Sequence, residues 1–179
     1  DSEAYFAASE YAHAIEPTAA TAFGCGAMYY KKGDIDKSIE YFDNAIELEQ
    51  DPIQKSEYCY TAAQVLFSDK KLSKAKQYAR KAIENNAEYG EPYILIAQMY
   101  ATSPNWSEEP ALNKCTYFAV IDKLQKAKSV DPNLAEKANE LISTYSRYTP
   151  KDEDLFFIGI KKGDAVTIGG WIGETTTVR

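Results

Sequence analysis

Histidine is nearly missing from this chain of 179 residues, with His13 the single example. One imidazole, with Glu16 three residues on, makes neither a metal-ligand set nor a nucleophile and base pair. Cysteine is scarce too. Cys25, Cys59 and Cys115 stand at no CxxC spacing, and an odd count is not a disulfide framework. They read as small buried hydrophobes; a Cys25–Cys59 bridge would need Cα atoms within about 7 Å, a distance that spacing alone does not fix. Apolar runs are short. Tyr93–Ala97 falls far below the roughly 18 residues that cross a bilayer. Basic residues are in deficit, 20 against 27 acidic, for a net charge of −7, which argues against nucleic acid as a partner. Gly24 and Gly26 have no third glycine at the spacing of a phosphate loop. No catalytic residue, metal or cofactor is expected. What the chain does have is a globular balance of 45% hydrophobic and 26% charged residues, and fourteen tyrosines.

A repeat organises the rest. Ala19 to Gln50 reads as two amphipathic helices around a break at Lys31-Lys32-Gly33-Asp34. Gly33 suits a left-handed helix end, and Asp34 suits the next N-cap. The string Tyr29-Tyr30-Lys31-Lys32-Gly33-Asp34-Ile35-Asp36-Lys37-Ser38-Ile39-Glu40-Tyr41-Phe42 closely resembles a tetratricopeptide repeat, with Ala22, Cys25, Gly26, Tyr29, Ser38, Phe42 and Ala45 in its slots. Ala22 stands for the family's Trp, Cys25 for Leu and Ser38 for Ala. The closing Pro arrives late, at Pro52.

Further copies follow. The second holds Cys59, Ala62, Ala63, Leu66, Ala75, Ala79 and Ala82, with a turn at Asp69–Lys71 that lacks Gly. The third begins with Tyr93, Ile96, Ala97 and Tyr100, and resumes with Val120, Leu124 and Ala127 after an insertion at 101–111 carrying Pro104, Trp106 and Pro110. The repeats are therefore placed at 19–52, 56–89 and 90–132. Residues 133–149 form a capping helix with Ala138, Leu141, Ile142 and Tyr145 in its slots. Residues 1–17 are read as a helix of a preceding partial repeat, with Tyr5, Ser9 and Ala12 in second-helix slots, which implies further chain upstream. The resemblance implies an all-α right-handed solenoid in which Gly26, Ala63 and Ala97 allow close helix pairs.

From Pro150 the composition changes. Leu155–Ile160 and Ala165–Ile168 read as two strands of a hairpin around Lys161-Lys162-Gly163-Asp164. This tail, 150–179, is expected as a lid, or else as an arm whose Trp171 docks in its own or a neighbour's groove. The ending Gly170-Trp171-Ile172-Gly173-Glu174-Thr175-Thr176-Thr177-Val178-Arg179 resembles tetratricopeptide proteins of Bacteroidetes-type bacteria. That likeness implies a periplasmic or cell-envelope location, the alternative being cytoplasmic.

Glu40, Asp43, Glu47 and Glu49 read as a solvated helical face, and Asp152-Glu153-Asp154 as an acidic cluster without EF-hand spacing. The resemblance implies a concave groove lined by the first helix of each repeat. Positions after the Trp slot give Phe23, Ala27 and Tyr30; Tyr60, Gln64 and Phe67; and Ile94, Gln98 and Ala101. This aromatic and amide lining suits a peptide or protein partner. It lacks the Lys, Arg and Asn ring with which some family members clamp a C-terminal carboxylate. The expected function is a non-enzymatic binding scaffold. The alternatives are self-assembly through the tail, with a homo-oligomer, or an accessory region of a larger envelope protein.

Overall fold

A computed structural model describes residues 2–179, with the side chains of 2, 3 and 5 excepted, so the expectation for Tyr5 lies outside the described side chains. The chain divides into two compact units, residues 1–86 and 87–179.

The first unit contains α1 (Ser2–Ile15), α2 (Ala19–Lys32), α3 (Ile35–Leu48), α4 (Pro52–Ser68) and α5 (Leu72–Asn85). Local chemistry sets their ends. Thr18 and Thr21 form a reciprocal capping box at the start of α2, and Asp34 accepts from the Lys37 N–H at 3.1 Å to open α3. Asp51 caps α4, whose first residue is Pro52. Gly33 closes α2 at φ +81°; thirty-seven residues on, Lys70 holds the equivalent left-handed position at φ +60° without a glycine's freedom.

Paired helices meet through small residues. A Cβ on Gly26 would lie 2.6 Å from Cδ1 of Phe42, so the phenyl ring of α3 occupies the space that a side chain on α2 would need. Ser38, the departure from Ala, is fully buried and donates its hydroxyl to the Gly26 carbonyl at 2.8 Å. In the next pair Ala63 and Ala79 are both fully buried, and Ser56 donates to the Ala82 carbonyl at 2.8 Å. A large residue opposite glycine and a small one opposite alanine are two ways of filling the same gap.

The second unit holds α6 (Glu91–Ala101), α7 (Pro110–Val130), a 3-10 turn (Pro132–Leu134), α8 (Ala135–Ser146), α9 (Asp152–Phe157) and two short strands, β1 (Ala165–Thr167) and β2 (Thr175–Thr177). The strands are antiparallel, with Val166 opposite Thr176.

The tail differs from the hairpin expected. Leu155–Phe157 is helical, and β1 pairs with 175–177 rather than with 155–160. Asp152, Glu153 and Asp154 fill the first turn of α9, where negative charge opposes the exposed N–H groups favourably. The β-branched run Thr175–Thr177 supplies the partner strand instead.

The tail is seated on α6 and α7. Val166, Ile168, Ile172 and Val178 are buried. The Tyr100 hydroxyl donates to Glu174 at 2.5 Å, and Lys123 pairs with the same carboxylate at 2.6 Å. Thr176 donates to Asp122 at 2.6 Å, and Arg179 pairs with Asp122 as well. Trp106, from the 101–111 insertion, donates its indole N–H to Thr116 at 3.1 Å and covers Gly169, where a Cβ would meet the indole at 2.6 Å.

Two substitutions read out these constraints. Gly26→Val should overpack the α2–α3 contact by about 1–3 kcal/mol and lower the melting temperature by roughly 2–10 °C. Lys70→Gly should raise it, by about 1–4 °C, through relief of the left-handed strain. Calorimetry or circular-dichroism melts decide both; an unchanged Gly26→Val melt would mean the pair is looser than the contact distance implies.

Candidate partner-binding face

In the first unit α2 and α4 run side by side in the same direction. Near their starts the Phe23 and Tyr58 rings stack with centroids 4.5 Å apart and planes at 21°. At their ends the Tyr30 hydroxyl lies 3.4 Å from that of Ser68. Contacts between early residues and between late residues require a parallel arrangement.

The buried sides of both helices follow from their pairing. On α2, Ala22, Cys25, Gly26, Met28 and Tyr29 are buried; on α4, Ser56, Tyr58, Cys59, Ala62, Ala63, Val65 and Leu66 are buried. The opposite ridges stay accessible. On α4 that ridge is Glu57, Thr61, Gln64 and Ser68, and on α2 it is Ala20, Gly24 and Ala27, the last two half-buried. Nothing lies within 4 Å of a Cβ built on Gly24, so this stretch of α2 is an open shelf beside the polar line of α4.

The expected groove residues divide accordingly. Gln64 is exposed, Ala27 is half-buried and Tyr30 is 42% exposed. Tyr60 and Phe67 are half-buried at the edge of the α4 ridge rather than at its crest. Phe23 is not a free lining residue. It is half-buried and packs between Tyr58 and Phe42, whose ring is 5.2 Å away, and so seals the seam between α2 and α4. In the second unit Gln98 and Ala101 are half-buried, but Ile94 is 2% exposed and does not line a surface. Helix α6 carries apolar residues all round, with Pro92, Ile94, Leu95, Ile96, Ala97, Met99 and Tyr100 buried, and a helix of that kind is closed on most sides. Trp171 is held within its own unit: its indole N–H donates to Ser103 at 3.2 Å, and its ring meets Tyr100 edge-on at 5.6 Å. Sequence reasoning missed Glu57, Thr61 and Ser68, although their spacing with Gln64 makes the most polar line on α4.

The chemistry of the site is that of contact. Among the described residues no group of three or more His, Cys, Asp or Glu is arranged to hold a metal, and no helix is long and apolar enough to cross a membrane. The three thiols are free and buried. Burial pushes Cys59 and Cys115 up to about 11, and burial and then Glu10 raise Cys25. Each is thereby held in the unreactive thiol form at neutral pH.

Comparison with known proteins fits this geometry. Residues 26–52 and 56–89 match the family model described as tetratricopeptide repeat. Stress-induced-phosphoprotein 1 of Caenorhabditis elegans is 31% identical over 116 residues, covering 65% of this chain; the chain spans about a third, 35%, of that relative's length. Among solved structures, MamA superposes with a TM-score of 0.57 at 18% identity, covering 83% of this chain and 84% of MamA. The first such repeat domain of Spaghetti (RPAP3), bound to the HSP90 peptide SRMEEVD, superposes at 0.53 with 17% identity, over 73% of this chain and 94% of that one. The fold is all-α and of this repeat class.

Raised thiol pKa values give a direct readout. Because deprotonation is displaced upward, iodoacetamide at pH 8 should alkylate Cys59 and Cys115 at least a hundredfold more slowly in the native protein than in denaturant, as followed by peptide mass mapping. Equal rates in the two conditions would show that these sites open freely.

Proposed function

We propose that this chain, a protein of tetratricopeptide repeats, is a non-enzymatic scaffold that binds an extended segment of a partner protein along α2 and α4. The observation that carries this reading is the parallel placement of the two helices, with the Gly24 shelf beside Glu57, Thr61, Gln64 and Ser68. Gln64 and Thr61 are suited to a peptide backbone, while Tyr30 and the edges of Tyr60 and Phe67 offer apolar surface for side chains. Affinity near the micromolar level, about −8 kcal/mol, is ordinary for such a site.

The HSP90 peptide seen on the RPAP3 repeats supports peptide binding as the mode, but not an acidic tail as the ligand. From Ala20 to Tyr30 and from Glu57 to Ser68, the charge on these ridges is the carboxylate of Glu57. An acidic segment would meet repulsion there and no basic clamp, so the partner segment is uncharged or basic. A periplasmic or cell-envelope location rests on the resemblance of residues 170–179 to tetratricopeptide proteins of Bacteroidetes-type bacteria, and cell fractionation tests it.

The deciding experiment is affinity capture from the native organism beside a Gly24→Arg, Gln64→Arg double variant. Both positions are open, so the fold and melting temperature should persist while the captured partners fall at least tenfold. Equal recovery by both proteins would remove the reading. Tyr60→Ala and Phe67→Ala serve less well, since both side chains are half-buried.

One observation favours self-association as a second reading. Phe156 and Phe157 on α9 are 79% and 86% exposed, and paired exposed aromatics promote contact between molecules. Light scattering of a Phe156→Ser, Phe157→Ser variant should show a smaller species than the parent chain if this patch assembles copies. Identical masses would exclude it.

A further inference from the structure

A second site lies in the same unit, away from the α2–α4 ridges. Helices α1, α2 and α3 line an open cleft of about 600 Å³. Its wall is aromatic. Tyr29 and Tyr41 stack with centroids 5.3 Å apart at 13°, and the His13 ring meets Tyr41 edge-on at 5.7 Å. Its rim is carboxylate: Glu10 from α1, and Glu40, Asp43 and Glu47 from α3. Their spacing along α3 puts Glu40, Asp43 and Glu47 on one side of the helix. Lys37 is the one Lys or Arg in the lining, so formal charge in the cleft is strongly negative.

Parts of this arrangement are fixed. The Tyr29 hydroxyl donates to Glu10 at 2.6 Å, and the Tyr78 hydroxyl from α5 donates to Asp43 at 2.5 Å. The His13 ring nitrogen Nδ1 is 2.9 Å from the Thr21 hydroxyl. The wall already attracts a cation from within the chain: the Lys37 ammonium lies 5.0 Å from the centroid of the Tyr29 ring. Tyr41, stacked beside it, offers a second ring in the same cleft as Glu40 and Glu47.

We propose that this cleft binds an arginine-bearing segment of a partner protein. The guanidinium group suits it better than an ammonium because it is planar, weakly hydrated, stacks on tyrosine and forks onto carboxylates. Glu40 and Glu47 are seven residues apart on α3, a span of about 10 Å. Two side chains three residues apart in a polyproline II segment share one face and lie about 9 Å apart, close to that span. The cleft therefore fits the pattern Arg-x-x-Arg in polyproline II form, with one guanidinium at each of these carboxylates.

The test uses the full chain and an acetylated, amidated peptide Gly-Arg-Ser-Gly-Arg-Gly, followed by amide chemical shifts. The expected result is saturable shifts on α1 and α3, weakened by added salt, with affinity at least tenfold lower in a Glu40→Gln, Glu47→Gln variant. Both positions are exposed, and an unchanged melting temperature checks that the variant is folded. Replacing both arginines of the peptide with lysine should weaken binding severalfold, and free arginine amide should bind far more weakly than the peptide. No shifts at millimolar peptide, shifts confined to α2 and α4, or equal affinity in the double variant would overturn the site. Equal affinity for the lysine peptide would overturn the guanidinium preference, and equal affinity for arginine amide would overturn the peptide as ligand. The Gly24→Arg, Gln64→Arg variant should bind the peptide as the parent does, which separates this site from the α2–α4 face.

Discussion

Close approach of antiparallel helices through residues with little or no side chain is the constraint on which the rest depends. Where α2 meets α3, the missing Cβ of Gly26 is the space that Phe42 fills, and the Ser38 hydroxyl is tied to the Gly26 carbonyl. Because each helix spends one side on its pair and another on the neighbouring helix, its third side is left to solvent. The accessible ridges of α2 and α4 are consequences of packing on their other sides. A surface of this kind needs no loop to build it and keeps its shape as long as the pairs stay closed.

The second unit solves a different problem. Its helices α6 and α7 present an apolar side that the later part of the same unit covers. The tail supplies a cover in pieces: aliphatic side chains from the β1–β2 ribbon, the Trp171 indole, and a carboxylate, Glu174, shared by Tyr100 and Lys123, with the Trp106 indole added from the connection between α6 and α7. The segment between α6 and α7, expected as an insertion, thereby takes a packing role. Trp106 is anchored to α7 through Thr116, with its backbone N–H donated to Asn113, and is the surface on which Gly169 rests.

Much of this was legible from residue pattern. Gly33 and Asp34 marked a helix boundary, and both act in that role at the position expected. Ser38 looked like a departure from the family and proves to be a buried donor, which pattern alone does not reveal. The tail was misread because Leu155-Phe156-Phe157-Ile158 has the composition of a strand, while the acidic turn before it has the electrostatics of a helix start. Local propensity for apolar residues is weak evidence, and the placement of three charges outweighed it. On α4 the expected lining joins exposed Gln64 to half-buried Tyr60 and Phe67, and it leaves out Glu57, Thr61 and Ser68, which continue the accessible line through Gln64. Ile94 failed for another reason, since helical spacing gives direction but not depth. Glu40, Asp43 and Glu47 were read as solvated charge, and their relation to Glu10 and the tyrosine wall needed the third dimension.

The Tyr100–Glu174 contact also orders events in time. It joins residues 74 positions apart, whereas the Gly26–Ser38 contact joins residues 12 apart. Closing the longer span costs about 1.6 kcal/mol more chain entropy, by the logarithm of the two lengths. Local pairs assemble quickly and distant ones slowly. Helix pairs of the first unit are thus set to form early, while the latch at Glu174 waits for its hairpin to be complete and to return across the whole unit, leaving the aromatic surface around Tyr100 the last to dry.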